Sequence, residues 1–439
     1  MALDLAGKRV TVVGMARSGV AAARLALRGG AIVTCTDRRG DAAHVEGALC
    51  VYGHHRREDF TGADLVVVSP GVPAAQADVA AAIAAGVQVL GELAFAAAHL
   101  DAPILAVTGT NGKSTTTHLL GQILAHAGKR VFVGGNLGVP LSDAVGSAID
   151  VAVVEVSSYQ MELPGTFRPH AAVVLNLTPD HLERHGDMET YAAHKCRVFT
   201  RMLPDDVAVV PAGEPRLLRL ADGLPGTRFY LGSAPGVRVQ GDTLVLEGVG
   251  DAPSTLPLAS FRLPGQHNRE NLAAAVLLAV AGAGIAPDRI DLAALTGLPH
   301  RMEPVAVRAG VTWINDSKAT NVDSTLVALG STDLPRTHVV LGGQGKAGAP
   351  YTLLAEGLRR AASVTCFGAS GPDIARALAH EDVVSATVPS LQDAVTRAAG
   401  LARPGESVLL SPACASFDAF TDFEHRGRTF RQLAEALPT

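Results

Sequence analysis

The chain contains 439 residues, 48% of them apolar, and carries a formal net charge of -5 at pH 7. This length exceeds what one ordinary hydrophobic core supports and favours roughly three domains. The slightly acidic balance excludes a strongly basic surface, so we do not expect nucleic acid as a partner.

The five cysteines are odd in number and unclustered. This pattern indicates buried free thiols in a reducing compartment and argues against a disulfide framework or a zinc knuckle. Residues 1–8 include Asp4 and lack the long apolar core of a secretory signal. The longest uncharged apolar run, residues 272–286, is shorter than the ~20 residues that cross a bilayer. We therefore expect a cytoplasmic chain without membrane insertion.

Residues 1–96 alternate predicted strands with helices, which is typical of a parallel sheet flanked by helices in a Rossmann-like domain. The predicted strands cover residues 9–14, 31–36, 64–69 and 87–90, and a helix starts near Gly19.

The turn after the first strand, residues 14–19, is similar to a dinucleotide fingerprint. Ala16 stands where the middle glycine should be, which favours a nucleotide-sugar diphosphate over a nicotinamide cofactor. Asp37 ends the next strand and could hold a ribose hydroxyl, with Arg38 beside it. A domain that only packs is the alternative.

A predicted central domain, residues 97–299, contains a glycine loop between an apolar strand at 104–107 and a helical pattern over 117–127. The loop reads Thr108-Gly109-Thr110-Asn111-Gly112-Lys113-Ser114-Thr115-Thr116. Such a loop cradles a polyphosphate with backbone N–H groups, a lysine charge and a serine hydroxyl for Mg²⁺. Its spacing is shorter than the general phosphate-loop pattern, and a turn without ligand is the alternative.

Polar side chains follow several predicted strands of this domain, namely Asn136, Glu155, Asp180 and His181. Because ligands gather at the carboxyl ends of parallel strands, we expect them to converge on the Lys113 loop. Glu155 interrupts an apolar run, which is costly without a partner; magnesium is the favoured partner and a lysine the alternative. The His181–His185 spacing does not complete a zinc-helix pattern.

The later part of the central domain contains an amphipathic helix over 191–199, where Lys195 taken alone is a solvated helix lysine. Short strands with glycine turns follow over 207–263 and predict an antiparallel edge or hairpin. Residues 265–271 then open a helix over 272–281.

Prolines at 299 and 304 mark a domain junction, and residues 300–439 alternate strands and helices again. Predicted strands cover residues 311–314, 338–341, 363–367 and 407–410. Polar segments at 315–321, 341–346 and 411–418 follow strand ends and suit a small carboxylated substrate. Solvated loop lysines are the alternative for Lys318 and Lys346.

These segments resemble the Mur ligases of peptidoglycan synthesis in all three parts of the chain. The shared features are Thr108–Ser114, Glu155, Asp180-His181, Lys195, Gly265–Asn268 and Pro299–Arg301, together with Gly134–Asn136, Ser157–Gln160, Trp313–Asn321 and Ser411–Ser416. The resemblance implies an α/β protein of three domains: a Rossmann-like N-terminal domain, a P-loop mononucleotide-binding central domain and a Rossmann-like C-terminal domain.

The resemblance also implies ATP, two Mg²⁺ ions and a carbamylated Lys195. ATP would contact Gly109, Thr110, Asn111, Gly112, Lys113, Ser114, Thr115, Asn268, Arg301 and Asp316. Magnesium would be held by Ser114, Glu155, His181 and modified Lys195, and the implied catalytic residues are Lys113, Glu155, His181 and Lys195.

The implied substrates are UDP-N-acetylmuramoyl-L-alanine and D-glutamate, joined through an acyl phosphate by a monomeric enzyme. The sugar nucleotide would contact Arg17, Ser18, Thr36, Asp37, Arg38, Ser69, Gly71, Asn136, Ser158 and Gln160. D-Glutamate would contact Lys318, Thr320, Lys346, Ser416 and Phe423. Ala347 to Pro350 depart from relatives, which commonly carry an acid shortly after the lysine.

Two other functions compete with this interpretation. A folate or cyanophycin-type amide ligase would share the central domain, but the N-terminal domain and residues 411–416 disfavour it. A GTP-dependent switch protein would need a guanine-reading Asn-Lys-x-Asp segment, and Asn315 to Lys318 have the wrong order.

Overall fold

A computed structural model describes residues 3–136, 138–250, 252–345 and 348–438. The chain divides into two compact units, Met1–Thr296 and Gly297–Thr439. The first unit contains two sheets and the second contains one. The proposed boundary between residues 96 and 97 falls inside the first unit and stays a prediction.

The N-terminal sheet is parallel throughout, with strand order β3-β2-β1-β4-β5. Its strands are β1 (Arg9–Val13), β2 (Ile32–Asp37), β3 (Leu49–Tyr52), β4 (Leu65–Val68) and β5 (Gln88–Gly91), and its helices are α1 (Arg17–Arg28), α2 (Arg57–Thr61), α3 (Ala77–Ala84) and α4 (Glu92–Ala97). The alternation predicted a parallel sheet, and this is confirmed. The edge strand β3 was not predicted.

The central sheet has nine strands in the order β14-β13-β12-β11-β10-β9-β6-β8-β7. The strands are β6 (Ile104–Thr108), β7 (Val131–Gly135), β8 (Val151–Glu155), β9 (Ala171–Val174), β10 (Val207–Pro211), β11 (Thr227–Leu231), β12 (Gly236–Gln240), β13 (Thr243–Glu247) and β14 (Ser254–Pro257). The helices are α5 (Lys113–His126), α6 (Leu182–His185), α7 (Met188–Cys196), α8 (Pro215–Ala221) and α9 (Gln266–Leu277).

Strand β6 lies between β8 and β9, so the glycine loop emerges at the middle of the parallel part of the sheet. Strands β12, β13 and β14 pair antiparallel, which confirms the predicted edge hairpin. The prediction is wrong for β10 and β11, which lie in the same stretch, 207–263, and extend the parallel part of the sheet. Helix α5 begins at Lys113, four residues before the start that the apolar pattern predicted, because its first turn is built from buried hydroxyl residues.

The second unit has a sheet of order β15-β16-β20-β17-β18-β19, in which only the β15 edge pairs antiparallel. Its strands are β15 (Glu303–Arg308), β16 (Val311–Asn315), β17 (Thr337–Gly342), β18 (Ser363–Phe367), β19 (Ala386–Val388) and β20 (Ser407–Leu410). Its helices are α10 (Val322–Gly330), α11 (Ala355–Leu358), α12 (Gly371–Ala379), α13 (Leu391–Leu401) and α14 (Phe423–Glu435).

One hydrophobic core runs from the N-terminal sheet into one face of the central sheet. It includes Val12 and Phe95 from the N-terminal part and Ala106, Phe167 and Phe199 from the central part. Burial of shared apolar surface stabilises both parts together, which explains why residues up to 296 form a single unit.

All five cysteines are free thiols, and four of them are buried. Cys50 is half-buried, so the expectation of burial is wrong for this residue, which lies on the edge strand β3. Within the described ranges, no helix combines the length and apolar character that a bilayer span requires.

Candidate active site

The glycine loop between β6 and α5 depends on two glycines with positive φ. Gly109 has φ +146° and Gly112 has φ +82°, both in the region that side chains rarely adopt. A Cβ on Gly112 would lie 2.2 Å from Asn271 Oδ1 on α9. Residue 112 therefore needs glycine for its conformation and for the close approach of α9.

Asn176, just beyond β9, holds the loop from the side. Its Oδ1 accepts hydrogen bonds from the backbone N–H of Thr110 at 3.1 Å and of Asn111 at 2.8 Å. The Thr110 hydroxyl lies 3.1 Å from the hydroxyl of Tyr191 on α7. Side chains from two neighbouring segments thus fix the loop, in keeping with a preorganised anion cradle.

Lys113 and Lys195 both donate to the same loop carbonyl. Lys113 Nζ donates to the carbonyl oxygens of Gly109 at 3.0 Å and Thr110 at 2.7 Å, and Lys195 Nζ donates to that of Gly109 at 2.8 Å. Burial lowers the pKa of Lys195 to about 7, and the charge of Lys113 acts in the same direction. Lys195 is only 1% exposed, so its interpretation as a solvated helix lysine is wrong.

Glu155 is a buried carboxylate with one unsatisfied oxygen. Its Oε1 accepts a hydrogen bond from Asn136 Nδ2 at 2.7 Å, and its buried Oε2 has no hydrogen-bond partner among the described residues. Asn136 is its hydrogen-bond partner, and Lys195 also interacts with Glu155 electrostatically. The magnesium and lysine interpretations of Glu155 both stay predictions. A buried carboxylate oxygen without a partner is costly, and a hard cation would satisfy it.

The predicted metal ligands mix residue types. In the described part of the chain, no group of three or more His, Cys, Asp and Glu side chains could hold a metal ion. Ser114 is buried at the start of α5, whereas His181 is exposed and precedes α6 with φ +53°. The structure does not join His181 and His185 as a zinc pair, because His185 bonds Ser158 and His194 instead.

A cavity of about 540 Å³ lies between the N-terminal and central parts of the first unit. Most of the predicted sugar-nucleotide residues line it, namely Arg17, Ser18, Asp37, Ser69, Gly71, Asn136 and Gln160. A second cavity of about 760 Å³ shares Arg17 with the first and adds Arg24 and Arg39. Both open at the carboxyl ends of β1 and β2, where a parallel sheet presents ligands.

Thr36, Arg38 and Ser158 do not line either cavity. The Thr36 hydroxyl lies 2.8 Å from His55 Nδ1. Arg39 bonds the Asp37 carboxylate, although Arg38 is the residue next to Asp37 in the sequence. Burial raises the pKa of Asp37, but hydrogen bonds from Arg39 and Met15 outweigh this effect and leave the pKa below its ordinary value.

Asn268, a predicted ATP contact, lies in the first turn of α9. Its Nδ2 donates to the Pro264 carbonyl at 2.7 Å, and its Oδ1 accepts from Asn271 Nδ2 at 3.4 Å. Asn271 Oδ1 in turn accepts from the Thr116 hydroxyl at 3.4 Å. A chain of amides therefore links this predicted contact to the first turn of α5.

Asp316, a predicted ATP contact in the second unit, is buried at the end of β16. Its oxygens accept from Ser411 Oγ at 2.8 Å and from the Met302 N–H at 3.1 Å. Burial raises the pKa of Asp316 to about 6 despite these bonds. Arg301, another predicted ATP contact, is half-buried and acts to lower the same pKa.

The predicted glutamate contacts lie in loops of the second unit. Lys318 Nζ is 5.8 Å from the centre of the Phe423 ring, Thr320 is half-buried, and Ser416 is buried. Burial of Ser416 leaves only a small part of it available to a ligand. Lys346 lies outside the described residues.

Arg426 on α14 organises these loops, and the sequence did not single it out. The guanidinium is fully buried and donates to Ser317, Cys414 and Ala415 at 2.8–3.0 Å and to Gly342 at 3.3 Å. Burial lowers the pKa of Arg426 to about 10. A single arginine within an amphipathic helix gives no sequence signal of such a role. The sequence also missed three contacts of the glycine loop, because their residue types and positions give no signal of that role. These contacts are Asn176, Tyr191 and Asn271.

Three family descriptions match this chain. They are the Mur ligase MurD-like N-terminal domain over residues 8–91, the Mur ligase middle domain over 107–279, and the Mur ligase glutamate ligase domain over 300–414.

Curated relatives match over almost their whole length. A protein of Anaeromyxobacter dehalogenans is 48% identical, with 98% of each chain covered, and one of Myxococcus xanthus is 44% identical, with 100% of each covered. A protein of Koribacter versatilis is 39% identical, with 99% of each covered. All three are named UDP-N-acetylmuramoylalanine--D-glutamate ligase.

Solved structures share the fold. UDP-N-acetylmuramate-alanine ligase MurC from Thermotoga maritima superposes with a TM-score of 0.61 at 18% identity, covering 98% of this chain and 99% of that one. MurF ligase from Thermotoga maritima in complex with ADP superposes with a TM-score of 0.58 at 17% identity, covering 98% and 96%. At this identity the similarity concerns the three-domain α/β fold alone.

Proposed function

This chain belongs to the Mur ligase family, and from that premise we propose that it is an ATP-dependent ligase that adds D-glutamate to UDP-N-acetylmuramoyl-L-alanine. The observation that carries the proposal is the 48% identity, over 98% of both chains, with a relative named UDP-N-acetylmuramoylalanine--D-glutamate ligase. The reaction is proposed for the cytoplasm, in peptidoglycan precursor synthesis, and for a monomeric enzyme.

The chemistry requires activation of a carboxylate. A carboxylate oxygen of the sugar-nucleotide substrate attacks the γ-phosphorus of ATP, the bond to the bridging oxygen breaks, and ADP leaves with an acyl phosphate formed. The amine of D-glutamate then attacks the acyl carbon, phosphate leaves, and the amine loses a proton as the amide forms. Phosphorylation is needed because oxide is a poor leaving group.

Lys113 is the residue that we assign to the transferred phosphoryl group. In the structure its ammonium group donates to two loop carbonyls, of Gly109 and Thr110. Binding of ATP would exchange these neutral acceptors for phosphate oxygens, whose negative charge attracts the ammonium group more strongly. The charge would therefore act on the oxygens where negative charge accumulates during transfer.

Ser114, Glu155, His181 and Lys195 are the residues that we assign to two Mg²⁺ ions. The unsatisfied Oε2 of Glu155 supports this fit. When bound, magnesium would neutralise charge on the phosphates. The protein supplies the buried carboxylate and holds it by Asn136.

Lys195 fits the set only if its charge is changed, because an ammonium group cannot ligate a cation. With a pKa of about 7, an appreciable fraction of Lys195 is a neutral amine at neutral pH. The amine can add carbon dioxide to give a carbamate and a proton, which converts the side chain into an oxygen ligand. The resemblance implied this modification, and we retain it as a proposal.

The remaining assignments follow the sequence. The N-terminal domain, residues 1–96, would hold the sugar nucleotide, the central domain, 97–299, would hold ATP, and the C-terminal domain, 300–439, would hold D-glutamate. The cavity lined by Arg17, Asp37 and Gln160 supports the first assignment. The half-buried Lys318 and the loops that Arg426 bonds support the third.

Substitution of Lys113 tests the proposal. K113A should abolish ATP-dependent release of phosphate in the presence of both substrates, because the transferred group loses its main protein charge. The exposed Lys129, substituted as K129A, is the control and should retain turnover. Near-normal turnover of K113A would exclude the scheme.

A further inference from the structure

Arg184 and Glu162 form an ion pair that the reaction scheme does not use. Arg184 Nε lies 2.8 Å from Glu162 Oε1, and Arg184 Nη2 lies 2.9 Å from Glu162 Oε2. The two side chains are 16% and 11% exposed. Two-pronged geometry and partial burial distinguish this pair from ordinary surface ion pairs, which contribute little.

Both partners also bind the same N-terminal segment, residues 70–74. The Arg184 guanidinium donates to the carbonyl oxygens of Val72 at 3.3 Å and of Pro70 and Gly71 at 3.4 Å. Glu162 Oε2 accepts from the Ala74 N–H at 3.2 Å. One ion pair therefore forms hydrogen bonds with four backbone groups of this segment, three carbonyl oxygens and one N–H.

The ion pair connects three segments that carry predicted substrate contacts or, in the case of His181, a predicted metal ligand. Arg184 follows His181 by three residues, Glu162 follows Gln160 by two, and Ser69 to Val72 line the cavity of about 540 Å³. The guanidinium also lies 4.4 Å from the centre of the Tyr159 ring, next to Gln160.

We propose that Arg184 is a positioning residue that sets the N-terminal wall of the sugar-nucleotide cavity relative to the turn bearing Gln160 and the turn bearing His181. This inference rests on the proposed function. A substrate that spans from its diphosphate to its reacting carboxylate needs both ends of its site at a fixed separation, and small misplacements cost large factors in rate. Arg184 would act through these segments without touching the substrate.

The substitution R184K distinguishes the effect of the Arg184 charge from that of its hydrogen-bond geometry. A lysine side chain keeps the positive charge near Glu162 but cannot reach several carbonyl oxygens at once, because its donors lie on a single nitrogen. The matched control is Arg168, which pairs with Asp206 through two bonds of 2.7 and 2.8 Å elsewhere in the same unit. Neither Arg168 nor Asp206 is a predicted substrate contact.

The experiment compares R184K and R168K by steady-state kinetics with each substrate varied in turn. R184K should raise KM for the sugar nucleotide roughly tenfold and lower kcat severalfold, while KM for ATP changes less than about twofold. R168K should leave all three constants within about twofold. An equal effect of R184K on both KM values, or no effect, would overturn the proposal.

Hydrogen exchange provides a second readout that does not depend on catalysis. In R184K, the backbone amides of Gly71, Val72 and Ala74 should exchange faster than in the wild type, with those of the glycine loop unchanged. E162Q should reproduce both the kinetic and the exchange result. The double variant R184K/E162Q should show no larger change than R184K alone, because both substitutions remove the same ion pair. E162Q serves alone if R184K does not fold. A wild-type protein that forms no amide would refute the proposed function, whereas unchanged exchange would refute the positioning role.

Discussion

Lys195 shows how burial can change the chemistry of a single side chain. Its ammonium group is enclosed beside Lys113, and both burial and this neighbour favour the neutral amine. A lysine with this pKa can react with carbon dioxide at neutral pH. The same residue on an open helix face would stay protonated and would not react.

Removal of the Lys195 side chain should therefore be reversible by a small carboxylate. K195A should lose amide formation by roughly 100-fold or more, because it lacks the proposed oxygen ligand. Formate or acetate should restore part of the rate by occupying the vacated space. Failure of every short carboxylate to restore activity, with ATP binding intact, would count against the carbamate.

The amount of carbamate should depend on pH with a defined sign. The folded pKa of Lys195, about 7, lies below the ordinary lysine value, so the neutral amine is lost as pH falls through 7. Wild-type activity at fixed bicarbonate should thus fall as pH is lowered through roughly one unit on either side of 7. A rate that is flat over this interval, measured with saturating substrates, would contradict the assignment.

Alanine substitutions at Gly112 and Gly128 distinguish the effect of steric overlap from that of backbone strain. Both have φ above +80°, but a Cβ would meet Asn271 Oδ1 at 2.2 Å in the first and nothing within 4 Å in the second. G128A should cost about 1 kcal/mol of unfolding free energy without changing KM for ATP. G112A should lose measurable ATP binding by calorimetry. Equal ATP affinities in the two variants would show that the contact with Asn271 does not matter.

Individual residues carry the strongest sequence signal where chemistry restricts the choice, and the roles assigned to them stay predictions. Lys113, Ser114 and Glu155 stand in a pattern that few structures other than a phosphate site require. Asp37 was expected to hold a ribose hydroxyl, and the sequence did not show that Arg39 bonds its carboxylate. Sequence order does not say which of two adjacent arginines turns toward a strand end, because that depends on the path of the following loop.

At the scale of elements, helix α14 acts as a support for three loops through Arg426. R426K should lose most of the hydrogen bonds to Ser317, Gly342, Cys414 and Ala415, at a cost of about 2–4 kcal/mol in the stability of the second unit. KM for D-glutamate should rise while the KM values of ATP and the sugar nucleotide stay unchanged. Arg428, exposed on the same helix, is the control as R428K. A uniform loss of activity without a selective change in KM would contradict this role.

The elements that the sequence missed are short or lie at sheet edges. Strands β3 and β19 have four and three residues, and β15 begins at the proline-punctuated junction. Strands β3 and β19 carry too few residues for a periodic pattern, and pairing with a neighbouring strand decides the structure of edge strands such as β15. Buried strands such as β6 and β8 were predictable because each begins with four consecutive apolar residues.

At the scale of the whole molecule, the predicted ATP contacts belong to both compact units. Lys113 and Asn268 lie before residue 296, and Arg301 and Asp316 lie after it. A single ATP molecule that engages all four would bind both units, and we predict that the second unit closes about a hinge near Pro299 to Pro304. Solution scattering should therefore show a smaller radius of gyration with an ATP analogue and both substrates than without them. Superimposable profiles would argue against closure.

The two units also show which domain boundaries a sequence can indicate. The junction near residue 299 carries prolines and was predictable from them. The shared core between the N-terminal and central parts was not, because Phe95 and Phe167 are far apart in sequence and neither shows a periodic signal for the other.

The central claim is that the γ-phosphoryl group of ATP passes to the substrate carboxylate and that D-glutamate displaces it. UDP-N-acetylmuramoyl-L-alanine labelled with ¹⁸O in its terminal carboxylate should be incubated with ATP and a panel of amino acids, and products analysed by mass. The account predicts amide product with D-glutamate and one ¹⁸O atom transferred to the released phosphate. Phosphate free of label, or amide formed in preference with another amino acid, would contradict it.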